Sequence, residues 1–271
     1  MKFRLAAFAD EASQIIDEQI KAMKDNGIEL LEIRGVDGTN IADITITKAK
    51  EVRAKLEDAG LSVWSLGSPF GKISLEDDFE KHLDSFKHGI ELCNELGADH
   101  IRLFSFYGAE GRFDDVAERL SKFIEAAKGT GITLCHENEK GIYGDIASKC
   151  LEIQKTFPEI KAIFDPANFI QSGQDTLEAW DLLNPYVEYM HIKDAKADGS
   201  VVPAGKGEGR LPRLLERYSG EVLTVEPHLS VFAGFDKLEP GQKSRLSQYT
   251  YPDSMTAFSA AVGALMEIIG G

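Results

Sequence analysis

The chain has 271 residues, of which 43% are hydrophobic, and its formal net charge at pH 7 is −15. This length is ample for a buried core. A surface this acidic repels nucleic-acid phosphates and anionic lipid, so the composition disfavours nucleic acid and membranes as partners.

The cysteines and the N-terminus indicate a cellular compartment. The three cysteines form no CxxC pair, which is typical of structural thiols in a reducing environment. The N-terminus lacks the apolar region and cleavage site of a signal peptide. No apolar stretch of the sequence approaches the ~20 residues of a membrane span. We therefore expect a cytoplasmic protein.

Short apolar runs alternate with amphipathic, helix-like segments along the chain. Eight runs are predicted to be strands, at residues 3–9, 28–34, 61–67, 100–106, 132–138, 160–166, 187–193 and 221–227. Several of the segments between them end at a glycine, which is typical of a left-handed helix C-cap. Eight βα units in a chain of this length predict a (β/α)8 TIM barrel, as a single domain over residues 1–271. A doubly wound open sheet is the alternative, but no GxGxxG motif follows the first strand.

Two connections are much longer than the others, at residues 193–213 and 228–252. Loops of this length are usually functional or disordered, and in a barrel both would lie over the face where the strands end. The second contains four aromatic side chains, so we expect it to form a packed lid. These aromatic residues are Phe232, Phe235, Tyr249 and Tyr251.

The last four predicted strands each deliver one carboxylate or imidazole at their C-terminal ends. These residues are Glu137, Asp165, His191 and Glu226. In a barrel the strand ends converge, and three carboxylates brought together repel one another unless a cation lies between them. A single strand-end carboxylate is usually a turn or cap residue. Three carboxylates and one imidazole on the same face instead favour a site for Mn²⁺, Mg²⁺, Co²⁺ or Zn²⁺.

Five short motifs follow one another in the second half of the chain. They are HEN at 136–138, FDPAN at 164–168, MHIKDA at 190–195, GKGEG at 205–209 and VEPH at 225–228. Each is weak by itself, but their order and spacing resemble the sugar phosphate isomerase/epimerase family of xylose-isomerase-like TIM barrels. The first half of the chain matches only in its strand–helix pattern and in EIR at 32–34.

The resemblance implies a reaction and a cofactor. Glu137, Asp165, His191 and Glu226 would hold one divalent ion, with Mn²⁺ preferred and Mg²⁺, Co²⁺ or Zn²⁺ as alternatives. Glu137 and Glu226 would also be the acid/base pair of a sugar isomerase or epimerase that works through a metal-stabilised enediolate. The expected substrate is a small sugar or polyol without a phosphate, because no run of basic residues marks a phosphate site. Homo-oligomers are common in such barrels.

Two positions depart from the family pattern. Asn168 stands where many members have a histidine, and Ala197 stands where epimerases tend to have an arginine. With His228, the Asn168 position favours the alternative function, a metal-dependent lyase or dehydratase that acts on a keto-sugar, keto-inositol or 3-keto glycoside. A DNA-repair nuclease on the same barrel would need more histidines at its strand ends. A non-catalytic sugar-binding barrel would need no such ligand set.

Other polar and aromatic residues are candidates for lesser roles. The predicted substrate contacts are Asn168, Lys193, Glu208, His228 and Trp64, with Trp64 taken as a strand-end residue that could stack on a sugar. Arg34 and Arg102 end their strands and could bind an anionic group. Strand alternation directs His136 away from the metal, and Glu11 is interpreted as a cap.

Overall fold

In the computed structural model, which describes residues 2–230 and 249–270, eight parallel strands form a closed barrel. The strands are β1 (Arg4–Ala7), β2 (Leu30–Ile33), β3 (Ser62–Leu66), β4 (His100–Leu103), β5 (Thr133–Glu137), β6 (Ile160–Phe164), β7 (Val187–Ile192) and β8 (Val222–Val225). Each pairs with its neighbours in sequence, and β8 closes on β1 with Arg4 opposite Val222. The (β/α)8 prediction is confirmed, and each observed strand lies within one of the eight predicted runs.

In the described part of the chain, each strand is followed by one or two α-helices. They are α1 (Ile16–Asp25), α2 (Ile46–Asp58), α3 (Phe79–Leu96), α4 (Phe113–Ala127), α5 (Ala147–Thr156), α6 (Pro166–Gln171), α7 (Thr176–Leu183), α8 (Leu211–Arg217) and α9 (Ser254–Ile269). Local sequence sets several of their ends. The Asp78 carboxylate accepts a hydrogen bond from the Lys81 backbone N–H at the start of α3, and Gly97 ends that helix with a φ of 73°.

Two hydrophobic clusters stabilise this architecture. The larger one packs the outward faces of the strands against the helices. The smaller one lies inside the barrel, where alternate strand residues point inward. It consists of Ala6, Leu30, Cys135, Ile163, Tyr189 and Val222, with Trp64 packed against it. The barrel interior is therefore filled with side chains rather than open.

The long connections differ in what can be described. The predicted lid falls mainly on residues 231–248, which lie outside the described residues, although Tyr251 packs against the larger core. After β7, a hairpin pairs Asp194–Ala195 with Val201–Val202. Among the described residues, no helix is long and apolar enough to cross a membrane.

Candidate metal centre

The four residues predicted as metal ligands lie together at one end of the barrel. Glu137 is the last residue of β5, and His191 is the last but one of β7. Asp165 and Glu226 directly follow β6 and β8. All four side chains are buried, and one ligand atom from each lies within 4.8 Å of the others. Parallel pairing puts the C-terminal ends of neighbouring strands at the same edge, which explains the convergence.

His191 uses both of its ring nitrogens within this cluster. Its Nδ1 lies 3.0 Å from Oε1 of Glu137, and its Nε2 lies 3.1 Å from Oε2 of Glu32. The Tyr189 hydroxyl donates to the other Glu32 oxygen at 2.9 Å. Burial lowers the pKa of the His191 ring, but Glu137 and Glu32 outweigh it and raise the pKa to about 10. One ring nitrogen toward the ligands and the other on a carboxylate is the usual arrangement of a metal-binding histidine.

Basic side chains neutralise the ligand carboxylates. The Lys193 ammonium lies 2.9 Å from both Asp165 and Glu226, and Arg102 lies 3.1 Å from Glu137. Burial alone would raise the pKa of each acid. For Glu137, the charges of His191 and Arg102 reverse this and lower the pKa. For Glu226, Lys193 is the largest of several charges that take the pKa well below its usual range. For Asp165, burial prevails over Lys193 and raises the pKa to about 7.

Two asparagines tie β5 to the start of α6. The Asn138 side chain donates to the Asp165 carbonyl at 2.9 Å and accepts from the Asp165 N–H at 2.8 Å. Asp165 caps α6, because its carboxylate accepts from the Asn168 N–H. The Asn168 amide donates to Glu137 at 3.2 Å, and its Oδ1 is buried with no hydrogen-bond partner among the described residues. The HEN and DPAN motifs therefore position two ligands.

His228 and Glu11 extend the site toward β1. The His228 N–H donates to Glu11 at 2.6 Å, and its Nε2 lies 3.4 Å from Glu11 and 3.5 Å from Glu226. His228 has a φ of 45°, which non-glycine residues adopt at an energetic cost. The interpretation of Glu11 as a cap was wrong. Its side chain is buried against Arg34 at 3.1 Å, and burial raises its pKa to about 8 although Arg34 opposes the shift.

Two predicted substrate contacts are not brought to this cluster. Trp64 lies in the middle of β3 rather than at its end, and its ring stacks 4.0 Å from that of His100, the first residue of β4. It therefore lies toward the opposite end of the barrel. Glu208 is exposed, and its carboxylate accepts from the Ala197 N–H at 3.3 Å. As expected, His136 points away from the ligands, with Nε2 3.0 Å from the Ser105 hydroxyl.

Asp194, two residues after the end of β7, orders the loop that contains the GKGEG motif. The Asp194 carboxylate accepts from the N–H groups of Gly205, Gly207 and Gly209 at 2.8–3.0 Å. A Cβ atom on Gly207 would lie 2.3 Å from Asp194 Oδ1, so only glycine fits there. The motif fixes a loop beside the ligands, and the alternate glycines after an aspartate were the sequence signal for it.

A small cavity adjoins the ligand cluster. Among the described residues, those that line it are Arg34, Lys72, Arg102, Glu137, Glu139, Lys193, Glu226 and His228. Lys72 and Glu139 were not among the predicted site residues, and they form an ion pair of 2.8 Å. Ligand residues and basic side chains therefore line the same cavity.

The donor set suits a divalent metal ion. It consists of three carboxylates and one imidazole, all buried, and the second nitrogen of the imidazole is already held by Glu32. Mixed oxygen and nitrogen ligands of this kind bind Mn²⁺, Mg²⁺, Co²⁺ or Zn²⁺. The cluster could therefore bind one such ion.

Comparison with known proteins identifies the family. The model of the xylose isomerase-like TIM barrel family matches residues 20–227. This chain belongs to that family. A curated relative, the 3-dehydroshikimate dehydratase of Bacillus anthracis, is 23% identical over 179 residues, and the match spans 63% of each protein.

Two solved structures share the fold over nearly the whole chain. An L-ribulose 3-epimerase has a TM-score of 0.74 at 18% identity, covering 100% of this chain and 95% of its own. The IOLI protein, solved with a zinc atom, has a TM-score of 0.74 at 15% identity, covering 99% of this chain and 98% of its own. At these identities the likeness establishes the fold.

Proposed function

We propose that this protein is a divalent-metal-dependent isomerase or epimerase of a keto-sugar, with Glu137 and Glu226 as the acid/base pair. One observation carries the proposal: both glutamates belong to the four-residue ligand cluster and both line the adjoining cavity. They reach it from strands three positions apart around the barrel, so they approach a bound molecule from different directions.

The metal supplies the activation of the substrate. Bound to Glu137, Asp165, His191 and Glu226, a divalent ion would polarise a substrate carbonyl and make the neighbouring C–H more acidic. We propose Mn²⁺, with Mg²⁺, Co²⁺ and Zn²⁺ as alternatives, and the zinc atom in the IOLI structure supports metal binding on this fold.

The protein's own residues move the proton. The charges around Glu137 and Glu226 lower both pKa values, so each carboxylate is ionised near neutral pH and can accept a proton. One glutamate takes the proton from one face of the carbon. Delivery of a proton to the opposite face by the other glutamate, which first takes up a proton from solvent, gives epimerisation, and return of the abstracted proton to the adjacent carbon gives isomerisation. Lys193, 2.9 Å from Glu226, is placed to stabilise negative charge that develops on substrate oxygens.

A lyase or dehydratase is the second candidate. The curated relative in Bacillus anthracis is a 3-dehydroshikimate dehydratase, which supports an elimination on the same scaffold. The first step would be the same proton removal, but a hydroxyl at the β-carbon would then leave as water. The Nε2 of His228 lies 3.5 Å from Glu226. The imidazole therefore adds a polar group beside one carboxylate of the proposed acid/base pair.

Proton exchange in deuterated water distinguishes the two functions. Manganese-loaded protein would be incubated with D-fructose or with 3-dehydroshikimate and followed by NMR and mass spectrometry. Deuterium incorporation with retention of all heavy atoms indicates an isomerase or epimerase, whereas loss of water indicates a dehydratase. We expect Glu137→Gln and Glu226→Gln to slow either reaction by about 10²–10⁴-fold. The exposed Glu208→Gln is the matched control and should retain activity.

A further inference from the structure

The lining of the cavity is unusually basic for a site that holds a neutral sugar. Of the eight described residues that line it, four carry a positive charge and three are carboxylates. Two of those carboxylates, Glu137 and Glu226, belong to the ligand cluster. A divalent ion bound as proposed above would add two positive charges, against one negative charge from Asp165, the ligand carboxylate outside the lining. Such a cavity attracts anions.

Lys72 differs from the other basic residues of the cavity. Arg34, Arg102 and Lys193 each contact a carboxylate of the ligand cluster. Lys72 instead contacts Glu139, at 2.8 Å, and no ligand carboxylate among the described residues. Lys72 can therefore interact with a bound molecule without the loss of an ion pair to a metal ligand.

Glu139 is shared between two ammonium groups. Lys140 lies 3.3 Å from the Glu139 oxygen that Lys72 does not contact, and the Lys140 ammonium also donates to Gln171 at 3.0 Å. Within the trio of Lys72, Glu139 and Lys140, two cations share one carboxylate. The Glu139 side chain is 5% exposed and lies between the two lysines, so it holds both in place.

The backbone that carries Lys72 is built to hold it there. Lys72 lies 4.4 Å above the Phe104 ring, and its side chain is only 11% exposed. The preceding Gly71 has a φ of 88°, and its N–H donates to His82 at 2.8 Å. A Cβ atom on Gly71 would lie 2.1 Å from the Phe104 carbonyl oxygen, so the loop lies directly against the residue that follows β4. Lys72 is therefore held in place at the cavity rather than solvated at the surface.

We propose that Lys72, supported by Glu139 and Lys140, binds an anionic group of the substrate, a carboxylate or a phosphate, while the reacting carbonyl lies at the ligand cluster. This inference rests on the proposed function for the position of the reacting end. It replaces the expectation of an uncharged sugar. The sequence contains no basic run because Lys72 follows β3 and Lys140 follows β5, 68 positions apart.

Binding of three ketoses that differ only at C6 tests the proposal. Manganese-loaded full-length protein would be titrated calorimetrically with D-fructose, D-fructuronate and D-fructose 6-phosphate. We expect at least one anion to bind about tenfold or more tightly than fructose. The preferred anion separates a carboxylate from a phosphate substrate. Equal affinity for all three, including no measurable binding of any, would overturn the proposal.

Variants assign the preference to Lys72. Lys72→Met should remove the advantage of the anion and leave fructose affinity unchanged, whereas Lys72→Arg should keep part of it. Lys161→Met, the same charge change at an exposed position of β6, is the control and should keep the full advantage. An anion advantage that survives Lys72→Met would place the anion elsewhere. Because these are binding measurements, they remain decisive even if deuterium exchange fails and refutes the proposed reaction.

Discussion

The Nε2 of His191 lies 3.1 Å from Oε2 of Glu32, a residue of β2 that sits outside the predicted ligand set. Glu32 is itself held by the Tyr189 hydroxyl at 2.9 Å. The contact leaves the Nδ1 of His191 directed at the ligand carboxylates. Glu32 therefore determines which nitrogen of His191 is offered to a metal.

The Glu32→Gln variant should weaken metal binding. We expect the dissociation constant for Mn²⁺ to rise about 10–100-fold, because the substitution removes the carboxylate that orients the ring and makes it a better ligand. Calorimetric titration of metal-free protein measures this directly. Ser65→Ala is the control, since Ser65 contacts Tyr189 at 3.1 Å but not His191. Equal metal affinity in wild type and Glu32→Gln would show that Glu32 does not contribute to metal binding.

Asp194→Asn should destabilise the loop after β7. The carboxylate accepts three glycine N–H groups and that of Ala195, and an amide would turn a donor toward some of them. We expect a loss of about 2 kcal/mol in the free energy of unfolding. Denaturant titration measures it. Asp58→Asn, at an exposed position, should be nearly neutral. A loss no larger than that of Asp58→Asn would contradict the role of Asp194.

Gly71→Ala should cost far more stability than the same change at Gly129. Both glycines have positive φ, 88° and 78°, so both substitutions strain the backbone by about 1 kcal/mol. At Gly129 a Cβ atom meets nothing within 4 Å, whereas at Gly71 it lies 2.1 Å from the Phe104 carbonyl oxygen. We expect an extra loss of about 1–3 kcal/mol in the free energy of unfolding at Gly71. Similar denaturation midpoints for the two variants would show that the contact relaxes freely.

His82 should make stability depend on pH below neutrality. Burial, assisted by Arg119, lowers its pKa from 6.5 to about 4, and its Nε2 accepts from the Gly71 N–H. Between about pH 6.5 and pH 4 the unfolded chain binds a proton at this ring that the folded one does not. The contribution of His82 to stability is therefore present above pH 6.5 and is lost as the pH falls toward 4.

The His82→Gln variant isolates this contribution, because the amide oxygen can still accept a hydrogen bond but does not titrate. The stability of wild type relative to the variant should fall by about 2 kcal/mol between pH 7.5 and pH 4.5. Denaturant titrations of both proteins at the two pH values give the difference. A difference that is independent of pH would mean that His82 titrates normally in the folded protein.

The ligand cluster could be predicted from the sequence because the barrel topology by itself places the strand ends together. Once eight strands alternate with helices, the ends of β5 to β8 must share one face, so Glu137, Asp165, His191 and Glu226 converge whatever the details of packing. The alternation of side chains along a strand also predicted that His136 points away from the ligand cluster, because it is the neighbour of Glu137.

The rest of the site depends on contacts that sequence position does not reveal. Glu11 meets the His228 backbone across 217 positions, so it resembled an ordinary cap when only its neighbours were considered. Trp64 was misplaced because it was taken as a strand-end residue although the predicted run continues to residue 67. In the structure β3 continues two residues beyond Trp64, to Leu66, so the side chain lies toward the other end of the barrel. Lys72 looked like an ordinary loop residue, because the Glu139 that holds it comes from a different βα unit.

Metal content tests the central claim most directly. Protein purified without added metal would be analysed by mass spectrometry for divalent ions, beside Glu226→Gln and the exposed Glu208→Gln. We predict about one divalent ion per chain in wild type and Glu208→Gln, with clearly less in Glu226→Gln. A wild-type protein that contains no divalent ion, and takes up none of Mn²⁺, Mg²⁺, Co²⁺ or Zn²⁺ on titration, would contradict the assignment of Glu137, Asp165, His191 and Glu226 as metal ligands.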